Sequence, residues 1–242
     1  MSISPDATDK LGERQAFMRG IAACWPFIIV IVPFAMLFGV VATEAGFNIA
    51  EIMGFTFAVF AGASQFSAVQ LMRDEAPVLI VLATSLAVNL RMGMYSAALT
   101  PYFGKLSLWN RTLVAFFLVD QTYAASVVEF EKNPKMTMGE RLAFFMGATV
   151  VVAPPWYIAT WVGAMVGASI PKEYAIDFAM PITFIAMIAP LLRTIPHLAA
   201  AFTSIGLTLA LSFMPFSSGL LVAAVAAMFV GALTEIALEK RA

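Results

Sequence analysis

The segment from Val78 to Leu99, VLIVLATSLAVNLRMGMYSAAL, decides the class of fold, because it is long and apolar enough to cross a bilayer. It carries Asn89 and Arg91 near its middle. An arginine at membrane depth costs roughly 2.5–3.5 kcal/mol on insertion scales, so it usually faces a protein interior or a wet cavity. Arg91 is therefore a candidate functional residue.

The composition extends this conclusion to the whole chain. Hydrophobic residues make up 61% of the 242 residues and charged residues 12%, against about 45–50% and about 25% in ordinary soluble domains. The sequence thus predicts an all-α, polytopic transmembrane helix bundle within the lipid bilayer. Residues 1–20 are polar and lack the features of a signal peptide, so we expect a cytoplasmic N-terminal segment followed by a single transmembrane domain over 21–242. The net charge of -1 argues against a nucleic-acid partner.

Eight apolar segments are candidates for membrane crossings: 21–43, 49–71, 78–100, 112–130, 142–169, 176–192, 197–215 and 218–238. The sixth and seventh are short, so seven crossings remain an alternative. If all eight cross, ten lysines and arginines lie on one side: Lys10, Arg14, Arg19, Arg73, Lys132, Lys135, Arg141, Arg193, Lys240 and Arg241. The other side holds three, namely Lys105, Arg111 and Lys172. The positive-inside rule then places both termini in the cytoplasm.

Prolines and an internal similarity suggest how the bundle is organised. Proline frees a backbone carbonyl, which predicts broken helices in the first, fifth and sixth segments, at Pro26, Pro33, Pro154, Pro155, Pro181 and Pro190. Met53–Phe57 also resembles Met180–Phe184, while Pro26 and Gly39 match Pro154 and Gly167. This similarity suggests structural repeats over 21–130 and 142–238, as in many secondary transporters. Four crossings from one repeat to the next would make the repeat parallel, and an odd number would invert it.

Five polar side chains within the apolar segments form the predicted site: Ser64, Gln65, Asn89, Arg91 and Asp120. A charge within a bundle normally finds an opposite partner, which predicts an Arg91–Asp120 ion pair. An amino acid would suit such a site, since a guanidinium binds a carboxylate. We expect Arg91 to bind the substrate, with Asn89, Gln65 and Ser64 around it. Asp120 either pairs with Arg91 or carries a coupling proton, and a purely structural ion pair is the alternative.

These residues also lie in recognisable motifs. Ala61-Gly62-Ala63-Ser64-Gln65-Phe66, then Val88-Asn89-Leu90-Arg91, then Val119-Asp120 and Ile176–Pro181 resemble the AzlC family, the large subunit of branched-chain amino-acid exporters. The resemblance implies a bacterial inner-membrane secondary transporter that exports leucine, isoleucine, valine and also methionine. It further implies a small membrane subunit of the AzlD type as partner. The chain departs from the family at Met92, usually histidine, and at Gln121, usually glutamate.

Other functions are less well supported by the residues. The chain contains no Walker-type nucleotide-binding loop, and one histidine with one cysteine cannot supply a nitrogen and sulfur metal site. We therefore expect no enzymatic activity, cofactor or bound metal. A rhomboid-like serine protease with Ser64 and His197 is a minor alternative, although Gln65 replaces the glycine of that motif. A passive channel or a structural membrane subunit is the other alternative.

Overall fold

The computed structural model describes residues 6–169, 192, 194–214 and 218–240, without the side chains of 6–11, 218 and 239. The chain divides into two compact units. The first contains Met1–Gln65 and Asn89–Ile170, and the second contains Phe66–Val88 and Pro171–Ala242. The predicted sixth segment, with Pro181 and Pro190, lies outside the described residues except for its last position.

All regular secondary structure in the described part of the chain is helical, which confirms the predicted all-α class. The α-helices are α1 (Asp6–Cys24), α2 (Ile28–Glu44), α3 (Ile49–Ala58), α4 (Gly62–Arg73), α5 (Val78–Phe103), α6 (Leu108–Phe116), α7 (Asp120–Lys132), α8 (Met138–Gly167), α9 (Ile195–Ala210) and α10 (Ser218–Glu239). A single 3-10 turn, Trp25–Phe27, joins α1 to α2.

Four stretches of the described residues are long and apolar enough to cross a membrane: Gly12–Glu44, Val78–Phe103, Met138–Gly167 and Gly219–Leu238. The first of them begins within the segment 1–20 that the sequence assigns to the cytoplasm. Its residues 12–20 are helical and pack against α8. In the second unit, α9 and α10 pack antiparallel, with Gly219 against Leu211 and Gly231 against Ala200.

Glycines allow α1 and α2 to lie almost in backbone contact with α8. A Cβ added at Gly20 would collide with the carbonyl oxygen of Phe144, and one added at Gly147 would collide with that of Phe17. Phe17 and Phe144 occupy equivalent positions in a nine-residue repeat, because Gly12–Gly20 and Gly139–Gly147 are identical at six of nine positions, 127 residues apart. The two helices thus pack in parallel about a local pseudo-twofold axis.

The same packing continues along α2. Gly163 lies on the carbonyl oxygen of Met36, and Gly39 lies on that of Thr160. These two contacts relate Gly39 to Gly163, 124 residues apart, and not to Gly167 as the sequence match suggests. The segment Met180–Phe184, which resembles Met53–Phe57 in sequence, lies outside the described residues. The complete repeat therefore stays a prediction.

Helices α6 and α7 form a re-entrant hairpin rather than a crossing. Their 9 and 13 residues give lengths of about 13 and 20 Å, each too short for the roughly 30 Å hydrocarbon core. Phe103 at the end of α5 packs edge-on against Phe130 near the end of α7, with ring centroids 5.5 Å apart. Because only four residues separate the end of α5 from the start of α6, the hairpin enters and leaves at the same level of the bundle. The predicted fourth crossing, 112–130, is therefore wrong.

The hairpin gathers the basic residues of the first unit at one end. Among the described side chains of that unit, the cations other than Arg91 lie at the end where α1 begins: Arg14, Arg19, Lys105, Arg111, Lys132, Lys135 and Arg141. The opposite end, at the α2–α3 turn, carries Glu44 and Glu51. The predicted separation of Lys105 and Arg111 from the other cations was wrong, since it assumed that 112–130 crosses the membrane.

The predicted segment 49–71 is also interrupted, between α3 and α4 at Val59–Ala61. Some helices are thus broken, as predicted, and one break falls at a predicted proline, because Pro26 lies in the 3-10 turn between α1 and α2. Pro33 lies inside α2, and Pro154 and Pro155 lie inside α8. The breaks at Val59–Ala61 and Phe117–Val119 contain no proline, and there a tight turn or a side chain bonds freed backbone groups.

The hairpin predicts a specific labelling pattern. In a Cys24→Ala background, Lys105→Cys and Lys135→Cys are expected to react with an impermeant maleimide from the same face of the membrane. Ala50→Cys, an exposed control at the α2–α3 turn, is expected to react from the opposite face. Labelling of the two lysine positions from opposite faces would instead show that α6 and α7 cross.

Candidate functional site

The predicted ion pair is present and connects α5 to the tip of the hairpin. Arg91 Nη1 lies 2.9 Å from Asp120 Oδ2, with the side chains 34% and 43% exposed. The pair is therefore less buried than the sequence predicts. Partial exposure at an intramembrane position means that the two charges border an opening rather than a sealed core.

A tyrosine holds the other carboxylate oxygen. The hydroxyl of Tyr95 donates to Asp120 Oδ1 at 2.9 Å, and its ring stacks on Tyr123 with centroids 4.1 Å apart. Asp120 is also the first residue of α7, where the helix dipole favours a negative charge. The carboxylate is thus held by a cation, a phenol and a helix terminus, and its position is well defined.

Thr122 stabilises the tip of the hairpin. Its buried Oγ1 accepts a hydrogen bond from the backbone of Val119 at 3.0 Å and lies 2.9 Å from the carbonyl oxygen of Phe117. These are backbone groups that a continuous helix would have paired internally. On the other side of the tip, Cys24 Sγ lies 3.8 Å from the carbonyl oxygen of Gln121. Since Cys24 is well inside the span Gly12–Glu44, Asp120 lies deep in the apolar region.

The interruption between α3 and α4 has a polar node of its own. Thr56 Oγ1 accepts hydrogen bonds from Gln65 Nε2 at 3.0 Å and from Trp156 Nε1 at 2.9 Å. All three side chains are buried. This node ties α3 and the beginning of α4 to the middle of α8. Gly62 lies between it and the core, where an added Cβ would come within 2.5 Å of the Trp156 ring.

An aromatic cluster brings the two interruptions together. Phe60, in the break between α3 and α4, packs edge-on against Phe117 in the hairpin tip, with centroids 5.7 Å apart. Phe60 also contacts Trp156 and Tyr157 of α8, at 6.1 and 5.5 Å. Because Phe60 precedes α4 and Phe117 precedes α7, their contact brings the N-termini of these two helices close together.

The other predicted site residues have mixed environments. The amide nitrogen of Gln65 bonds Thr56 rather than Arg91 or Asp120, and Ser64 is buried in the first turn of α4. Three buried atoms of the predicted site residues lack a hydrogen-bond partner within the described part of the chain: Gln65 Oε1, Asn89 Oδ1 and Arg91 Nε. Two acceptors and one donor are therefore available to a ligand or to water.

Sequence reasoning missed Tyr95 and Thr56 as members of the site. Tyr95 follows Arg91 by four residues on one helix, so its position on the same face could have been found from helical spacing. Thr56 carries no such signal, because its partners Gln65 and Trp156 are 9 and 100 residues away. His197 lies in the first turn of α9, and the serine-protease alternative stays a prediction.

Comparison with known proteins identifies the family of this chain. The family model described as AzlC protein matches residues 26–170, which include both interruptions and the ion pair. The chain belongs to the AzlC family. This membership confirms the resemblance carried by the Gly-Ala-Ser-Gln-Phe and Asn-Leu-Arg motifs.

Individual AzlC relatives are membrane proteins. The chain is 28% identical to an "Uncharacterized membrane protein" of Archaeoglobus fulgidus over 89% of this chain and 94% of the relative. It is 26% identical to "Inner membrane protein YgaZ" of Escherichia coli over 71% of each chain. A Helicobacter pylori membrane protein is 25% identical over 72% of this chain and 73% of its own length. No solved structure matches the chain.

The polar node predicts a measurable loss of stability. Thr56→Val leaves two buried donors without an acceptor, so we expect it to lower the free energy of unfolding by about 2 kcal/mol or more. The matched control is Thr149→Val, since the buried Thr149 hydroxyl bonds only the carbonyl oxygen of Phe145 in its own helix. Melting temperatures in detergent should fall clearly for the first variant and little for the second. Equal effects would show that the node is not a special contact.

Proposed function

We propose that this protein exports small apolar amino acids, branched-chain ones and methionine among them, as the large subunit of a two-subunit secondary transporter. The observation that supports this proposal is the partly exposed Arg91–Asp120 pair at the tip of a re-entrant hairpin. A zwitterionic amino acid carries the complementary charges, a carboxylate for Arg91 and an ammonium for Asp120.

Substrate binding can proceed by exchange of partners. In the empty site the two charges bind each other at 2.9 Å, so neither is left unpaired at membrane depth. A bound amino acid replaces this one ion pair by two. The unpaired Arg91 Nε and Asn89 Oδ1 are a further donor for the carboxylate and a further acceptor for the ammonium. Tyr95 holds Asp120 in place during the exchange.

A cavity lies between α6 and the last turns of α5, on the basic side of this site. Its volume is about 210 Å³, and it is lined by Ser96, Leu99, Thr100, Phe103, Gly104, Arg111, Val114, Ala115 and Leu118. These residues extend from Gly104 and Arg111, at the basic end, to Leu118 near the hairpin tip, and none of them belongs to the ion-pair site. Its mixed lining suits a substrate with one charged end and one apolar side chain.

The orientation follows from the charge distribution. The positive-inside rule assigns the basic end to the cytoplasm, which is the side from which an exporter collects its substrate. We propose a bacterial inner-membrane location with a cytoplasmic N-terminus and an AzlD-type small subunit as partner. Asp120 is the candidate carrier of a coupling proton, since its carboxylate alternates between Arg91 and the substrate ammonium.

The substrate assignment predicts amino-acid efflux. Cells that lack other exporters and are loaded with leucine- or methionine-containing dipeptides should release the free amino acid faster when both subunits are expressed. Arg91→Lys keeps the charge but loses the planar fork that binds a carboxylate through two hydrogen bonds. We expect efflux to fall about tenfold or more, while the matched control Arg14→Lys, at an exposed position, has little effect. Unchanged efflux of all apolar amino acids would favour the channel or structural alternative.

A double variant separates transport from a purely structural ion pair. If the pair only balances charge, Arg91→Met and Asp120→Leu should each lower the amount of folded protein, and the combination should restore folding and transport together. The transport proposal predicts restored folding without transport. Transport by the double variant would rule out a direct role for either residue.

A further inference from the structure

A basic pocket lies at the end of the first unit where α1, α7 and α8 meet. Its volume is about 450 Å³, and it is lined by Arg19, Lys132, Asn133, Pro134, Lys135, Met136 and Glu140. The pocket lies outside the site of Arg91 and Asp120, and the proposed transport reaction does not use it.

The charges that line the basic pocket are unequally engaged. Arg19 Nη1 pairs with Glu129 Oε1 at 3.1 Å. The carboxylate of Glu140 accepts from the backbone of Thr137 at 2.8 Å as a helix cap, so it is committed to the start of α8. No ion pair of Lys132 or Lys135 occurs among the described residues. Two ammonium groups are therefore left to bind an anion.

The loop that carries these lysines is held in place before any ligand binds. Arg141 Nη2 donates to the carbonyl oxygen of Pro134 at 2.9 Å, and its guanidinium lies over the Tyr102 ring at 5.2 Å from the centroid. Asn133 Nδ2 donates to Glu129 Oε1 at 3.1 Å. A fixed loop loses little conformational entropy on binding, which favours a specific site over a diffuse cluster of charges.

The position of the pocket identifies the source of the anion. Arg19 lies two residues before the apolar run that begins at Ile21, which is the level of the lipid headgroups. Ala23, Pro26 and Val30 follow it along the chain into the apolar run, and all three are exposed. A phosphate beside the lysines thus has an apolar surface next to it on the membrane side.

We propose that the basic pocket binds the phosphate group of an anionic phospholipid, with an acyl chain along the α1–α2 face. Lys132 and Lys135 contact the phosphate, and Arg19 marks the boundary between headgroup and chain. The zwitterionic headgroup of phosphatidylcholine brings its own cation to the pocket and binds more weakly. The site is independent of the substrate and of the direction of transport.

Native mass spectrometry of the purified protein, titrated with phosphatidylglycerol or phosphatidylcholine, tests this proposal. The wild-type protein should bind phosphatidylglycerol in preference. Lys132→Gln combined with Lys135→Gln should weaken this binding by roughly fivefold per lysine, while Lys105→Gln, at the same end but outside the pocket, should not. The Lys132→Arg, Lys135→Arg variant keeps both charges and should bind like the wild type. Equal binding of the two lipids, or equal binding by the glutamine variants and the wild type, would overturn the proposal.

A competition experiment distinguishes the lipid from free phosphate. Inorganic phosphate at millimolar concentration should leave bound phosphatidylglycerol in place, because phosphate lacks the acyl chain. Val30→Ser, on the exposed apolar face, should weaken lipid binding relative to the wild type, because it removes an apolar contact of the acyl chain. Chloride at the same concentration serves as the control. Displacement of the lipid by phosphate but not by chloride would show that the pocket is a phosphate site, contrary to the proposal.

Discussion

The ion pair between Arg91 and Asp120 is the interaction on which the rest of the site depends. An isolated charge deep in an apolar bundle is costly, so the position of Arg91 requires an anion at the same depth. Asp120 reaches that depth because α6 and α7 turn back within the bundle instead of crossing. The break between them places a helix N-terminus next to the carboxylate, where its dipole adds to the attraction of the guanidinium.

The close packing of α1 and α2 against α8 forms a rigid frame that supports the two broken helices. The parallel, glycine-mediated contact of α1 and α2 with α8 leaves almost no space between the backbones, as at Gly20 and Gly147. The two broken helices are attached to this frame through polar contacts, namely Thr56 with Trp156 and Cys24 with the Gln121 carbonyl. Some of the backbone groups released at the breaks are bonded within the protein, as an apolar surrounding requires: Val119 donates to the Thr122 hydroxyl and Ala61 to the Val59 carbonyl.

Much of the site could be predicted from sequence, but its topology could not. Arg91 and Asp120 are conspicuous because charged residues are rare in apolar segments, and opposite charges pair. The window 112–130 has the length and hydropathy of a crossing, and nothing in its composition shows that it reverses at Phe117–Val119. The reversal depends on long-range contacts, Phe103 with Phe130 and Phe60 with Phe117. The prolines gave a mixed result, since Pro26 lies in the turn between α1 and α2, whereas Pro33, Pro154 and Pro155 lie inside packed helices.

The distance between Arg91 Nη1 and Asp120 Oδ2 in a substrate-bound structure tests the central claim most directly. Cryo-electron microscopy of the two-subunit complex in lipid nanodiscs with saturating leucine would measure it. The partner-exchange account predicts that the separation grows from 2.9 Å to beyond about 4 Å, the limit of an ion pair. Density for the ligand should then join the guanidinium to the carboxylate. An intact ion pair with leucine bound elsewhere would contradict the account.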